Sequence, residues 1–475
     1  MSIAILCDIG STFTKVVAID CEEATVLAVG AAPTTIDRDV GDGLRHAVAQ
    51  VEEQIGPVFS RADLRLACSS AAGGLRMVAI GLVPNLTAEA AKWAALGAGA
   101  KLLQTLSFKL SEREIAAIDG TAVDIILLAG GIDGGNSDTI LHNARLLARS
   151  DLTAPIIVAG NKVVQDKVAD ILCRAGKDVR VVDNVMPQLE TVNIEQARGA
   201  IRKLFLEKIV IAKGLDRIQD LIDGVVMPTP SAVMESARLL SRGDGRNKGW
   251  GELIVVDVGG ATTDVHSMAS GSPTLPGVVR KGLVEPWDKR TVEGDLGMRY
   301  SAAGLMAAIE EADLLRIGVQ LDKEGRFTIT EMERFVAMIS QESDRICTSE
   351  REIVLESIIA RAAIETAVTR HAGKLNHTFT PHGKMTIQRG KDLTGVRRII
   401  GTGGVLVRHR SPHCVLAGAV RHPDQADILT PTEGRLYLDK DYIIAAAGLL
   451  AKPMPQTAFK LLNQYVTEIY QEERC

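Results

Sequence analysis

The chain is built from short apolar runs, each closed by Gly, Asp, Asn or a small hydroxyl residue. Residues 3–9 and 15–20 are two such runs on either side of Gly10-Ser11-Thr12, and they predict a β-hairpin. Residues 24–31 predict a third strand. Residues 42–54 have helical spacing, with Leu44, Val48 and Val51 on one face, and 64–69 read as a buried strand. An Ala-rich stretch over 86–107 reads as helical. The apolar runs 123–129, 155–159 and 179–182 end in Gly130-Gly131-Ile132-Asp133-Gly134-Gly135, Gly160-Asn161 and Asp183-Asn184, with helical segments near 138–149 and 162–175 between them. Strand, polar turn, helix is the pattern of a parallel sheet covered by helices, and such sheets bind ligands beyond the carboxyl ends of their strands.

Residues 193–222 have helical spacing, and Met227-Pro228-Thr229-Pro230-Ser231 breaks it. The polar, Gly-rich stretch 241–250 reads as a linker. Directly after it the opening pattern returns: an apolar run from Ile254 reaches Asp257, followed by Gly259-Gly260-Ala261-Thr262-Thr263-Asp264. The spacing over 300–371 is mainly helical. A strand at 397–400 then ends in Gly401-Thr402-Gly403-Gly404, and a polar stretch covers 408–434. Two further helices are predicted, at 441–451 and 456–472. The repeat is of domain size rather than a solenoid period.

Composition adds limits. A chain of 475 residues supports two or three domains. Aromatics make up only 3% of it, so the cores must be aliphatic, as α/β layers allow. The net charge of -5 and the lack of a basic run speak against nucleic acid or an anionic membrane as the principal partner. Seven scattered cysteines without a Cys-x-x-Cys pair fit reduced thiols in a cytoplasm. The N-terminus enters a strand at once rather than a signal peptide, and no apolar run is long enough to span a membrane.

The repeated turn carries the chemistry. In Asp8-Ile9-Gly10-Ser11-Thr12, Gly lets backbone N–H groups approach a phosphate chain and the hydroxyls add donors. An Asp at the strand end can hold a magnesium ion through its water shell. Lys15 offers a positive charge or points outward from the second strand. The second copy, Asp257 to Asp264, has Gly259, Gly260 and Thr262 as a better-equipped cradle, and Asp264 adds a carboxylate able to orient water or metal. Gly401, Gly403 and Gly404 would let a purine or ribose lie against the backbone.

The order of these three motifs resembles the actin, sugar-kinase and heat-shock-chaperone ATPase superfamily, where they are the first phosphate, second phosphate and adenosine motifs. No Walker A motif occurs. The resemblance implies an α/β fold of two related actin-like (ribonuclease H-like) domains, with ATP or ADP and magnesium in the cleft between them, plus helical insertions. Its domains would be 1–240, with a helical insertion near 190–225, and 251–475, with an insertion near 285–395, joined by 241–250. Asp8 and Asp257 would hold the metal, with Asp264 assisting, and Asp8, Asp257 and Asp264 would serve catalysis. Gly10, Ser11, Thr12, Lys15, Gly259, Gly260, Thr262, Gly401, Gly403 and Gly404 would bind nucleotide.

A narrower resemblance rests on longer strings: residues 8–15, Leu128-Ala-Gly-Gly-Ile-Asp-Gly-Gly-Asn136, Met227-Pro-Thr-Pro230, residues 257–267 and Thr291-Val-Glu-Gly-Asp-Leu-Gly-Met-Arg299. Together they look like the accessory protein family of glutamate (methylaspartate) mutase, the MutL or GlmL type. The similarly named DNA mismatch repair ATPase has a different fold, and none of its features occurs here. The resemblance implies an ATPase-type partner of adenosylcobalamin-dependent mutase subunits, a reactivating chaperone among the roles, with homodimer formation open. It implies no nucleic acid and no membrane.

Other residues have two readings each. Asp133 and Asn136 would hold an attacking water, or simply shape a turn. Glu293, Asp295 and Arg299 would form a lid or partner surface, or Asp295 would start a helix. Asp264-Val265-His266-Ser267-Met268-Ala269 nearly matches the cobalamin pattern D-x-H-x-x-G, but the last position is Ala, so His266 reads as a strand residue and no cobalamin is expected to bind directly. His371, His377 and His382 read as a solvated loop. Three rival functions remain: a small-molecule kinase with Asp133 as base, a nucleotide-dependent filament protein, and an iron–sulfur activator, which would need clustered cysteines.

Overall fold

A computed structural model describes residues 2–35, 40–70, 75–212, 222–381 and 383–470. The chain forms two compact units. One comprises Met1–Ala71, Arg217–Lys281 and Trp287–Cys475, and the other comprises Ala72–Asp216 with Gly282–Pro286.

The first unit contains two sheets built to one plan. In the first sheet, Ile3–Ile9 is central, and six of its seven residues are buried because both faces are covered. Phe13–Asp20 folds back on it antiparallel, with Asp8 opposite Lys15, and Thr25–Pro33 adds the next antiparallel strand. On the other side Leu64–Ser69 runs parallel to the centre, and Gly224–Pro228 lies parallel beyond it. The second sheet repeats this order. Leu253–Val258 is central, Thr263–Met268 and Asp288–Glu293 are antiparallel on one side, and Arg398–Thr402 and Arg435–Asp439 are parallel on the other. Val466–Ile469 closes its edge.

A helix follows the fifth strand of each sheet, Thr229–Arg242 in the first and Ile443–Leu450 in the second. They share an apolar core with both sheets through Ala232, Met234, Leu240, Ile443, Ala447 and Leu450. At their crossing a Cβ on Gly448 would lie 2.0 Å from the Ala232 carbonyl oxygen, so only glycine permits this approach. The long helix Glu350–His371 opens with a Ser349/Glu352 capping box and covers the other face of the second sheet.

The second unit is a parallel sheet in the order Ala100–Ser107, Leu75–Gly81, Ile125–Leu128, Ile156–Val158, Val179–Val181. The helices Asp138–Arg149 and Gln165–Arg174 connect its later strands.

Several expectations need correction. The predicted helix over 86–107 is helical only as far as Gly97, as a π-helical turn at Pro84–Ala88 followed by the α-helix Glu89–Gly97. Gly99, at φ +91°, ends it, and Ala100–Ser107 is a strand. The last predicted helix stops at Tyr465, and Val466–Ile469 pairs as a sheet edge. The strands Leu75–Gly81, Gly224–Pro228 and Arg435–Asp439 were not anticipated from the sequence. The region read as a histidine loop holds the antiparallel strands Lys374–Thr380 and Gly383–Arg389, and His371 is a fully buried helix end; His382 lies outside the described residues. The stretch 241–250 carries a Gly243–Lys248 bridge, and Trp250 packs on the Tyr437 ring.

Candidate functional site

The two Asp-containing hairpins belong to the same compact unit, and their turns meet. A Cβ placed on Gly260 would lie 2.3 Å from Thr12 Oγ1. That hydroxyl is buried and has no hydrogen-bond partner among the described residues, which an arriving ligand oxygen would correct. In the first turn the Gly10 N–H donates to the Phe13 carbonyl at 3.1 Å, and the Thr12 carbonyl accepts from Thr34 N–H at 2.8 Å. In the second, the Gly259 and Gly260 carbonyls accept from the N–H groups of Met298, Arg299 and Tyr300, and the Ala261 carbonyl accepts from Ser301 Oγ. The carbonyls are thus drawn into the protein. Within the described residues no acceptor takes the N–H groups of Ser11, Thr12, Gly260 or Ala261. This is the donor arrangement that suits an anion.

The carboxylates are held unequally. Asp8 is fixed on three sides: Oδ1 accepts from Thr229 Oγ1 at 2.7 Å and from Cys68 Sγ at 3.6 Å, and Oδ2 accepts from Lys15 Nζ at 3.1 Å. Lys15 also lies 4.7 Å from the centre of the Tyr442 ring, and Tyr442 adopts a left-handed backbone conformation at φ +57°. Burial would lower the Lys15 pKa, but Asp8, Tyr442 and Asp257 outweigh it and keep the ammonium charged. Asp264 is clamped as well. Its Oδ1 accepts from Arg290 Nε at 2.7 Å in a buried ion pair, and its Oδ2 accepts from Thr262 Oγ1 at 2.8 Å.

Asp257 has no hydrogen bond or ion pair within the described residues. Burial first, then the neighbouring Asp264, pushes its carboxyl up to about 7, against the pull of Lys15. Asp439, at the end of the fifth strand of the second sheet, is raised to about 6 by burial. It accepts from Thr402 Oγ1 at 2.8 Å and from the Ile443 N–H at 2.7 Å, and so caps the helix that follows.

The glycines of the third motif divide. Gly403, at φ +102°, lets its turn approach the Val258 carbonyl, where a Cβ would sit at 2.2 Å, and Gly401 makes room for Leu406 and Leu416. Only Gly404 opens onto space, lining a cavity of about 300 Å³ with Val405, Arg299, Cys347, Glu356 and Arg408. Arg408 stacks 4.5 Å from the centre of the Phe13 ring and so joins this cavity to the first turn. No three His, Cys, Asp or Glu side chains converge as a chelating set among the described residues. A divalent ion here would keep most of its water and meet Asp8 and Asp257 through it, as magnesium does.

Some residues that matter were hidden in the sequence. Thr229 and Arg290 approach the two turns from distant segments, and only the Met-Pro-Thr-Pro string flagged the first. The loop read as a lid, 291–299, instead buckles onto the second turn: a Cβ on Gly297 would collide with Ala261, and Arg299 is paired with Glu356 at 2.6 Å. Asp295 starts no helix; it pairs with Arg370 at 2.9 Å. In the second unit, Asp133 accepts from Lys162 N–H at 3.0 Å and from Asn184 Nδ2 at 2.9 Å, and Asn136 accepts from Thr139 N–H, which leaves both inside a turn network. His266 is a fully buried strand residue whose two ring nitrogens have no hydrogen-bond partner among the described residues.

The duplicated strand order and the facing turns define an α/β protein of the actin-like, ribonuclease H-type class. The sequence profile described as MutL protein matches residues 4–466. Protein MutL of Clostridium tetanomorphum is 45% identical over 469 residues, which covers 99% of this chain and 100% of that one. The chain therefore belongs to the MutL family, the family its motifs resemble. Among solved structures, nucleotide-free acetone carboxylase is similar at 13% identity and a TM-score of 0.41, over 94% of this chain and 70% of that one. Xylulose kinase from Lactobacillus acidophilus is similar at 10% identity and a TM-score of 0.34, over 99% and 93%. No helix among the described residues is long and apolar enough to cross a membrane.

Proposed function

We propose that this protein binds ATP with magnesium between its two hairpin turns and uses slow hydrolysis to act on an adenosylcobalamin-dependent mutase of the glutamate or methylaspartate type. The observation that carries the nucleotide reading is the pair of facing turns, with free N–H groups and the partnerless Thr12 hydroxyl between them. The backbone of Ser11, Thr12, Gly260 and Ala261 would take the phosphates, with Lys15 as the fixed positive charge. Gly404 and its cavity would receive the adenosine, while Gly401 and Gly403 serve by allowing close packing. Asp8 and Asp257 would meet the hydrated ion. Magnesium supplies neutralisation of phosphate charge when bound.

Asp257, unpartnered and near neutrality, is the group suited to orient a water and hold its proton. Asp264 is occupied by Arg290 and Thr262, so its role is to position the turn and to raise Asp257. In a kinase reading, Asp133 would have to serve as base, and its carboxylate is engaged by the Lys162 N–H and by Asn184 Nδ2.

The mutase reading rests on the family. The test is to inactivate the mutase by turnover and add this protein with ATP and magnesium. Recovery that fails with a non-hydrolysable analogue, together with co-purification of the two proteins, supports the reading. A lack of both recovery and association removes the mutase role. Magnesium-dependent ATP binding is measured separately, on the protein alone.

A further inference from the structure

The string Met227-Pro228-Thr229-Pro230 has no task in the nucleotide reading, yet the structure brings it to the first turn. The chain returns to the first sheet on Gly224–Pro228, an outer strand in parallel register with Leu64–Ser69. The register shifts between Val225 and Met227, a bulge of the kind that re-aims a strand end. Pro228, whose missing N–H an outer strand tolerates, ends the strand at φ -60° and ψ 143°. Thr229 and Pro230 then open a helix, where proline is also tolerated. Two prolines thus fix the backbone on both sides of one threonine. Its side chain is buried at 7% exposure, and its Oγ1 donates to Asp8 Oδ1 at 2.7 Å.

We infer that Thr229 is a positioning residue for Asp8 and that the Met-Pro-Thr-Pro junction exists to present that hydroxyl. Lys15 holds the second oxygen of Asp8, and Cys68, beside Met227 in the strand register, adds a long thiol contact to the first. Of the two donors to Oδ1, the hydroxyl is the short one. With Lys15 on the other oxygen, it fixes the orientation of the carboxylate. Valine at this position keeps the shape and removes the donor, whereas serine keeps the donor.

This inference rests on the nucleotide reading, and its test separates the two. ATP binding to the full chain is titrated with magnesium for the wild type, Thr229→Val and Thr229→Ser. We expect Thr229→Val to need about tenfold more magnesium for half-maximal binding, the scale of one hydrogen bond to a charged group, while metal-free ATP binding is unchanged. Thr229→Ser stays within about twofold of the wild type. Wild-type magnesium dependence in Thr229→Val overturns the inference and leaves the nucleotide reading intact. Absence of any ATP binding by the wild type overturns the nucleotide reading and this inference with it. A purely structural threonine would shift melting and metal-free binding alike. If Thr229→Val does not fold, Thr229→Ser decides: a tenfold loss of magnesium sensitivity despite the retained hydroxyl overturns the inference, and wild-type behaviour there combined with lost magnesium dependence in Thr229→Cys supports it.

Discussion

Replacing Asp257 by Asn should make the ligand-free protein more stable while destroying its response to magnesium. The folded state moves the Asp257 carboxyl from 3.8 to about 7. For an acid raised on folding, the native state holds a proton that the unfolded state has released, between about pH 4 and 7. Stability therefore falls as pH rises through that window. The full displacement corresponds to about 4 kcal/mol at ~1.4 kcal/mol per pH unit, and solvent screening of this half-buried group reduces it to about 2 kcal/mol. Asn keeps the shape and carries no charge, so Asp257→Asn should gain about that much at pH 8 and nothing at pH 4. The assay is urea unfolding at pH 4, 6 and 8 without metal, followed by ATP titration with and without magnesium. A variant less stable than wild type at pH 8, or one with wild-type magnesium dependence, refutes the argument.

Three further outcomes follow from the same region. His266 is buried without a partner and its pKa is lowered to about 3 by burial and by Arg290, so the native state excludes a proton that the unfolded state takes up. Its stability contribution is present above about pH 6.5 and is lost as pH falls toward 3; His266→Leu should flatten that acid limb and add about 1–3 kcal/mol, read by urea midpoints at pH 5 and 7. Arg290→Met removes the cation paired with buried Asp264 and should cost about 3–5 kcal/mol, visible as a lower melting temperature. Gly260→Ala pushes a methyl against Thr12 Oγ1; calorimetry should show at least a tenfold loss of ATP affinity with little change in melting, and unchanged affinity would mean that the two turns do not share one ligand.

Much of the fold was legible because its strands are fully buried runs with a turn signature at the end. The order strand, strand, strand, helix, strand over the first 70 residues was readable for that reason, as was the hairpin at Asp257. What the sequence hid were strands whose signal competes with another. Ala100–Ser107 follows an Ala-rich helix with only Ala98 and Gly99 between them, and the positive φ of Gly99 marks the break. Gly224–Pro228 carries a proline that argues against a strand unless the strand is an outer one, which depends on pairing partners far away. In the site, the residues of the two hairpins were legible because they are contiguous. Thr229, Arg290 and Asp439 were not, because each reaches its carboxylate or turn across the fold and nothing in local spacing marks it.

The two halves share a strand order yet treat their leading aspartates in opposite ways, and the cause lies at one equivalent place. In each sheet the fifth strand passes directly into a helix. In the first half that junction supplies Thr229, whose hydroxyl donates to Asp8. In the second half it supplies Asp439, a carboxyl that accepts from its own helix and from Thr402 and adds to the field raising Asp257. The next strand over sharpens the difference, since Lys15 faces Asp8 across the first hairpin and Asp264 faces Asp257 across the second. Duplication alone would give two like carboxylates. These differences leave Asp8 held by Lys15, Thr229 and Cys68, and Asp257 without a partner among the described residues, its carboxyl raised to about 7.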